Sequence, residues 1–324
     1  MRIYRPGTSV TDFFTRFPDD RACLEHIFNS RWGDHSPCPK CGQLGKWFPI
    51  SGRRKYQHSC RRQTSVLEGT VMYRSNLPLM AWFYAMLLFA NSSIGMRSSF
   101  VRKQLGLGVK STARLCRLIR LQMAAAQRPP QLGGAGKTVY IDETLVRFVI
   151  EGTRTEQRRA PVLVIGLACD DEVISGIIPN RSSQALEAVI RRWVAPGSTI
   201  VTDGHASYKW VRSQGWTHVV VNHSVAFHDF GGNTLNSIET YWRVLKRTLS
   251  GYRRVNSDNL WLYLAEVEFR YNRRRDPVSA FERLISHFPR IDADESARLR
   301  ALFDWRSPDA SPTGTATAPR QPAG

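Results

Sequence analysis

The chain has 324 residues, 42% of them apolar and 10% aromatic, enough to bury a large core or two or three smaller ones and too much for a disordered polymer. Its 46 Lys and Arg stand against 27 Asp and Glu, with a pI near 10.3, which points to a polyanionic partner, nucleic acid before membrane. The opening MRIYRPGTSVTDFF has no apolar signal core, the longest apolar run (77–90) is too short to span a bilayer, and the six cysteines make no disulfide framework. A cytoplasmic, reduced protein is therefore expected.

Residues 1–30 carry spaced apolar positions and read as helical, interrupted at Pro18. Residues 31–70 read as a zinc-ribbon-like segment. Cys38-Pro-Lys-Cys41-Gly is a knuckle that presents two thiolates to one tetrahedral ion, the Gly closing the turn. The second ligand pair is irregular: Cys60 is present, but Gln57 stands where its Cys-x-x-Cys partner belongs. His58 then completes a Cys3His set for Zn²⁺, with His35 as a stand-in and a metal-free ribbon as the alternative.

Residues 75–126 begin with an apolar helix (77–90) and continue as helix, turn, helix, broken at Gly106-Leu107-Gly108. This resembles a DNA-binding helix-turn-helix whose second helix, opened by Lys110 or Ser111, exposes Lys110, Arg114 and Arg117. The alternative is a plain basic helical hairpin. The surrounding charge favours DNA: from Gly69 to Ile141 there are ten Lys or Arg and no carboxylate. Residues 127–137 are rich in Pro and Gly and read as a linker.

From 138 to 290 strands and helices alternate. TVYIDETLV is a strand run carrying Asp142 and Glu143, and two strand runs flank Asp170-Asp171 as a hairpin. A helix opens at Ser182 or Ser183, a strand ends at Asp203-Gly204, and a helix and the strand HVVVNHS follow. NTLNSIETYWRVLKRTL and NSDNLWLYLAEVEFRYNRRR are helices, the latter basic at its end. The pattern predicts a mixed α/β sheet. Residues 306–324 lack any core pattern and read as a disordered tail.

Asp142 in a strand, Asp203 at a strand end and Glu239 on a helix can converge at one sheet edge. Three carboxylates holding two Mg²⁺ or Mn²⁺ ions suit phosphodiester chemistry. Glu143 is the alternative to Asp142, and the alternative for Glu239 is a solvated carboxylate. Lys246 follows Glu239 by seven residues, nearly two turns, and leaves the helix on the same side. His205 and His223 lie near strand ends. Tyr241 and Trp242 are either core residues or base-stacking ones.

Together VYIDET, VTDGHASY, VNHS, NSIETYWRVLKR and YLAEVEFRYNRR resemble the DDE transposases of bacterial insertion sequences, in the subgroup with an N-terminal zinc ribbon and helix-turn-helix. The resemblance spans roughly residues 20–280 and departs from the pattern at Gln57 and His58. It implies a ribonuclease-H-like fold and a metal triad of Asp142, Asp203 and Glu239. It also implies Lys246 as the basic residue after the Glu, Glu266 with Arg270 and Arg273 as a motif toward DNA, and, since some members carry Asn at the third acid, Asn233 or Asn236 as the alternative to Glu239. Arg243, four residues after Glu239, lies on the same helix face. The activity implied is cleavage at terminal inverted repeats and strand transfer to target DNA, by a dimer or larger assembly in the bacterial nucleoid. The rival reading is a DNA-binding protein whose nuclease-like domain is idle.

Overall fold

Helices α1 (Val10–Arg16) and α2 (Asp20–Arg31) are divided at Pro18, and each starts on a side-chain cap: Ser9 accepts from the Asp12 N–H and Asp19 from that of Ala22. The structure, a computed structural model, describes residues 8–33, 36–127, 131–147, 149–151, 158–213, 215–221, 236–252, 255–276 and 278–306. His35, His223, Asn233 and the tail beyond residue 306 lie outside these residues. Strands β1 (Trp47–Pro49), β2 (Tyr56–His58) and β3 (Gln63–Thr64) form an antiparallel ribbon. It is too small to have its own core, and α2 supplies a wall. Phe28 stacks on Tyr56 at 4.2 Å and Trp32 on Trp47 at 5.3 Å.

The next helices are α3 (Leu79–Asn91), α4 (Ser98–Leu105) and α5 (Val109–Ala125), so the break falls at Gly106-Leu107-Gly108 as the sequence predicts. The Pro/Gly-rich stretch after α5 is anchored to the fold. There β4 (Leu132–Gly133) buries Leu132, and the Gly134 N–H donates to Ser198 Oγ at 2.8 Å.

Strand β5 (Thr138–Val146) leads into the main sheet, followed by the short β6 (Val149–Glu151) and β7 (Arg158–Arg159), then β8 (Val162–Cys169) and β9 (Glu172–Ile177). After α6 (Ser183–Trp193) come β10 (Val194–Ala195), β11 (Thr199–Thr202), a 3₁₀ helix (Ala206–Ser213) and β12 (Thr217–Val220). The chain continues as α7 (Asn236–Tyr252), β13 (Val255–Asn256) and α8 (Leu260–Asn272). It closes with α9 (Ala280–Ile285) and α10 (Ala293–Ala301), two helices the sequence reading leaves out. The sheet order is β12-β11-β5-β8-β9, with β5, β8 and β9 an antiparallel meander and β11 and β12 parallel to β5. This is the ribonuclease-H-like mixed sheet that the resemblance implies. Asp170 turns the β8–β9 hairpin in a left-handed conformation, φ 53°.

Each sheet face has its own core. Ile141, Ile165, Leu167 and Ile174 pack with α6 on one face. On the other, Val164 and Val173 meet α7 and α8, and this core runs on without a gap into α3, α5 and α9. Polar contacts follow the same path: Arg16 pairs with Glu282 at 2.7 Å, and Gln122 Nε2 donates to the His287 carbonyl at 2.7 Å. The N-terminal helices thus lean on the last helices of the chain. No described helix is long and apolar enough to cross a membrane.

Candidate active site

Strand β11 runs parallel to β5 with Thr199 opposite Thr138 and Val201 opposite Tyr140. β11 ends at Thr202, and Asp203, which follows it, lies close enough to Asp142 to repel its charge. Burial pushes the Asp142 pKa up and repulsion from Asp203 adds to the rise, while the indole N–H of Trp242, 2.8 Å from Oδ2, opposes it. Asp203 Oδ1 accepts the backbone N–H of His205 at 3.0 Å, which fixes the turn after β11; the His205 ring is exposed. Glu143 sits on the other face of β5, as alternation along a strand requires. It is buried, bonded by the Tyr208 hydroxyl and 3.7 Å from Arg181, so its carboxyl is engaged away from Asp142.

Helix α7 reaches this edge because of a glycine. Gly166 pairs directly with Asp142 across β5 and β8, and a Cβ there would stand 2.7 Å from both Ile238 and Trp242. Its bare backbone lets α7 lie against the sheet and brings the indole to the carboxylate. Tyr241 and Trp242 are both buried, so of the two readings the core one holds. Glu239 lies one turn before Trp242 and is exposed, as are Arg243 and Lys246 on the same side of the helix. Asn236 opens α7. Among the described residues, the three carboxylates are not gathered as closely as the cysteine group below. As donors they are hard oxygens that suit Mg²⁺ or Mn²⁺.

On α5 the sequence expectation and the exposure agree in detail: Lys110, Arg114 and Arg117 face solvent while Leu115, Cys116 and Ile119 are buried. Glu266 and Arg270 lie inside the fold, which corrects the expectation of a DNA-facing motif at those two residues, whereas Arg273 keeps 27% of its side-chain surface exposed. Glu266 is fully buried, 2.7 Å from Arg120 Nε, 2.7 Å from the Tyr252 hydroxyl and 3.5 Å from Arg270. Arg270 is itself almost buried and donates to the Ser92 carbonyl at 2.8 Å, and Arg273 pairs with Asp276 at 3.4 Å. Arg120 on α5 needs a buried counter-charge, and α8 supplies it.

In the ribbon, Cys38, Cys41, His58 and Cys60 bring one donor atom each to within 4.8 Å of one another. Cys41 Sγ is 3.8 Å from His58 Nδ1, close to the separation of about 3.6 Å that a sulfur and a nitrogen ligand take around tetrahedral zinc. Gly42, at φ 73°, closes the knuckle. The four donors fit Zn²⁺, with His58 replacing the missing fourth cysteine. His58 also packs on Trp47, its partner across β1 and β2.

Residues 131–272 match the family profile of the ISXO2-like transposase domain, and residues 18–63 that of the transposase zinc-ribbon domain. An uncharacterized transposase-like protein of Haemophilus influenzae is 30% identical over 116 residues, covering 35% of this chain and 94% of that protein. The chain belongs to the ISXO2-like transposase family. A protein of Halobacterium salinarum described as uncharacterized, in transposable element ISH50, is 24% identical over 283 residues, 81% of this chain and 94% of that protein. This transposase is thus a DNA-processing enzyme of an insertion-sequence type. Its domain match spans Asp142, Asp203, Glu239 and Lys246, and its ribbon match spans all four zinc-type donors. Two residues that sequence reasoning missed as parts of the site are Gly166 and Trp242. Their only signals were a glycine inside an apolar strand run and an indole three residues after Glu239.

Proposed function

We propose that this transposase cleaves DNA at the ends of its element and joins the freed 3′ ends to target DNA, at one site formed by Asp142, Asp203 and Glu239. The observation that carries the reading is that β5, which holds Asp142, and β11, which leads into Asp203, are parallel neighbours, while Trp242 bonds Asp142 from the helix of Glu239. In the first step, water attacks phosphorus at the element boundary, the P–O3′ bond breaks, and a 3′-hydroxyl is released. In the second, that hydroxyl attacks a target phosphodiester and expels a target 3′-hydroxyl. The number of phosphodiester bonds is conserved in the second step, so it needs no energy source beyond the DNA. Two divalent ions held by the three carboxylates would supply charge neutralisation at the attacking and leaving oxygens.

The chain's own residues position the reactants. Trp242 orients Asp142. Arg243 and Lys246 continue the Glu239 side of α7 as cations for the scissile strand, and Lys110, Arg114 and Arg117 on α5 hold the terminal repeat. The ribbon adds a second DNA contact, and pairing two ends calls for at least a dimer. The test is incubation of purified protein with a labelled DNA end bearing its own terminal repeat, with and without Mg²⁺, wild type beside Asp203→Ala and Glu239→Gln. Metal-dependent cleavage at the boundary, lost in both variants with repeat binding retained, is the expected result. Cleavage that survives Asp203→Ala would sink the site. Tight binding without cleavage by the wild type would leave the idle DNA-binding protein.

A further inference from the structure

Between the helix-turn-helix and the catalytic fold lies a cavity of about 680 Å³. It is walled by α4, α5, the end of α7, the turn after β13 and α8. Three guanidinium groups reach it, from Arg97, Arg117 and Arg120, with the amides of Asn256 and Asn259, and no carboxylate lines it among the described residues. Their states differ. Arg120 is already neutralised by Glu266 beneath the floor. Arg97 and Arg117 are exposed and form no ion pair among the described residues. The Asn256 carbonyl oxygen accepts the Asp258 N–H at 2.8 Å, which leaves its amide hydrogens as donors. A cavity with two uncompensated cations, amide donors and no acidic wall is built for an anion.

Arg117 also identifies which anion. It is the last member of the exposed row Lys110, Arg114, Arg117, which runs about 10 Å along α5 and ends at this cavity. We propose that a backbone phosphate of the DNA bound along α5 seats in this cavity between Arg97 and Arg117. This rests on the reading of α5 as a DNA-binding helix. A phosphate held there touches the wall formed by Gly251 and Tyr252 at the end of α7, the helix that carries Glu239 at its other end. The bound element end and the catalytic helix then share a fixed contact.

The experiment measures binding of the full-length protein to a labelled duplex of its terminal repeat by anisotropy across a salt series. Wild type, Arg97→Gln and Arg117→Gln are compared, with duplexes in which single phosphates are replaced by neutral methylphosphonates. Each variant is expected to bind severalfold more weakly and to lose about 0.9 from the slope of log affinity against log salt, one phosphate's worth. One methylphosphonate position should weaken the wild type and leave Arg97→Gln no weaker than it already is. Wild-type slopes in both variants, or neutral phosphates that cost the variant as much as the wild type at every position, would overturn the proposal while leaving DNA binding intact. A wild type that does not bind the duplex overturns the parent reading and this one together, and is seen before any variant is compared. Thermal midpoints of the variants establish that they fold; the methylphosphonate scan on the wild type reads the contact without any substitution in the protein.

Discussion

Trp242 connects two faces of the problem, since it fills core space beside Gly166 and donates its one polar hydrogen to Asp142. Phenylalanine keeps most of the ring and removes the donor. Outer hydrogen bonds to ligating groups are worth roughly 10–100-fold in metal affinity or activity. Trp242→Phe is therefore expected to fold normally and to lose cleavage by about that factor, with part of the loss restored by raised Mg²⁺. Full activity in this variant would remove Trp242 from the site. Glu268 is a second residue with a readable consequence. It is buried on α8, accepts both the N–H and the hydroxyl of Ser175, and burial pushes its pKa up to about 8. Because the folded value is raised, its contribution to stability is complete below the unfolded value of about 4.3 and is lost as pH rises through about 8. Denaturant midpoints should fall over that window in the wild type more than in Glu268→Gln. Equal slopes would mean that Glu268 ionises freely within the fold.

At the level of elements, the ribbon is the piece least able to stand alone. Its three strands hold few apolar side chains, and its support is α2 on one side and the Cys38, Cys41, His58, Cys60 cluster on the other. Purified protein should contain one zinc per chain by elemental analysis. Chelation or Cys60→Ala should lower the thermal midpoint, because binding free energy at such a site is folding free energy. Protein free of zinc, with a midpoint indifferent to chelator, would establish a ribbon that folds without metal. Helix α7 makes the complementary point. Its inner side is fixed by Ile238, Tyr241, Trp242 and Leu245, and that fixation leaves Glu239, Arg243 and Lys246 on the outer side.

Across the whole molecule, the buried group of Arg120, Glu266, Tyr252 and Arg270 ties α5 to α7 and α8. Removing one partner of a buried pair leaves an uncompensated charge and costs about 3–5 kcal/mol. Arg270 and Tyr252 remain for Glu266, so Arg120→Met should destabilise by about 3 kcal/mol in urea titration, and adding Glu266→Leu should recover part of the loss. A loss below about 1 kcal/mol would mean that the two halves are not coupled through this pair. The expected linker is likewise part of the fold, since Leu132 is buried and Gly134 bonds Ser198. A core shared by α3, α5, α8 and α9 makes the N-terminal helices and the main sheet with its helices mechanically one unit.

The sequence by itself determined much of this. Apolar runs and turn residues marked the strands, Gly106-Leu107-Gly108 marked the helical turn, and a Cys-x-x-Cys-Gly knuckle marked the ribbon. Local pattern is enough for these because each depends on residues close in the chain. The α/β order and the resemblance of five separated blocks pointed to the sheet and to the transposase family. Only the tertiary structure decided which face each carboxylate takes, that Gly166 admits Trp242, and that Glu266 and Arg270 are buried clamps. Those outcomes depend on strand register and helix packing between residues far apart in sequence. A one-residue shift in register would turn Asp142 to the face that Glu143 now occupies. A charge pattern such as Glu266 with Arg270 looks the same in sequence whether it faces DNA or an arginine from another helix. What separates the two cases is Arg120, 146 positions away, which the fold brings to 2.7 Å.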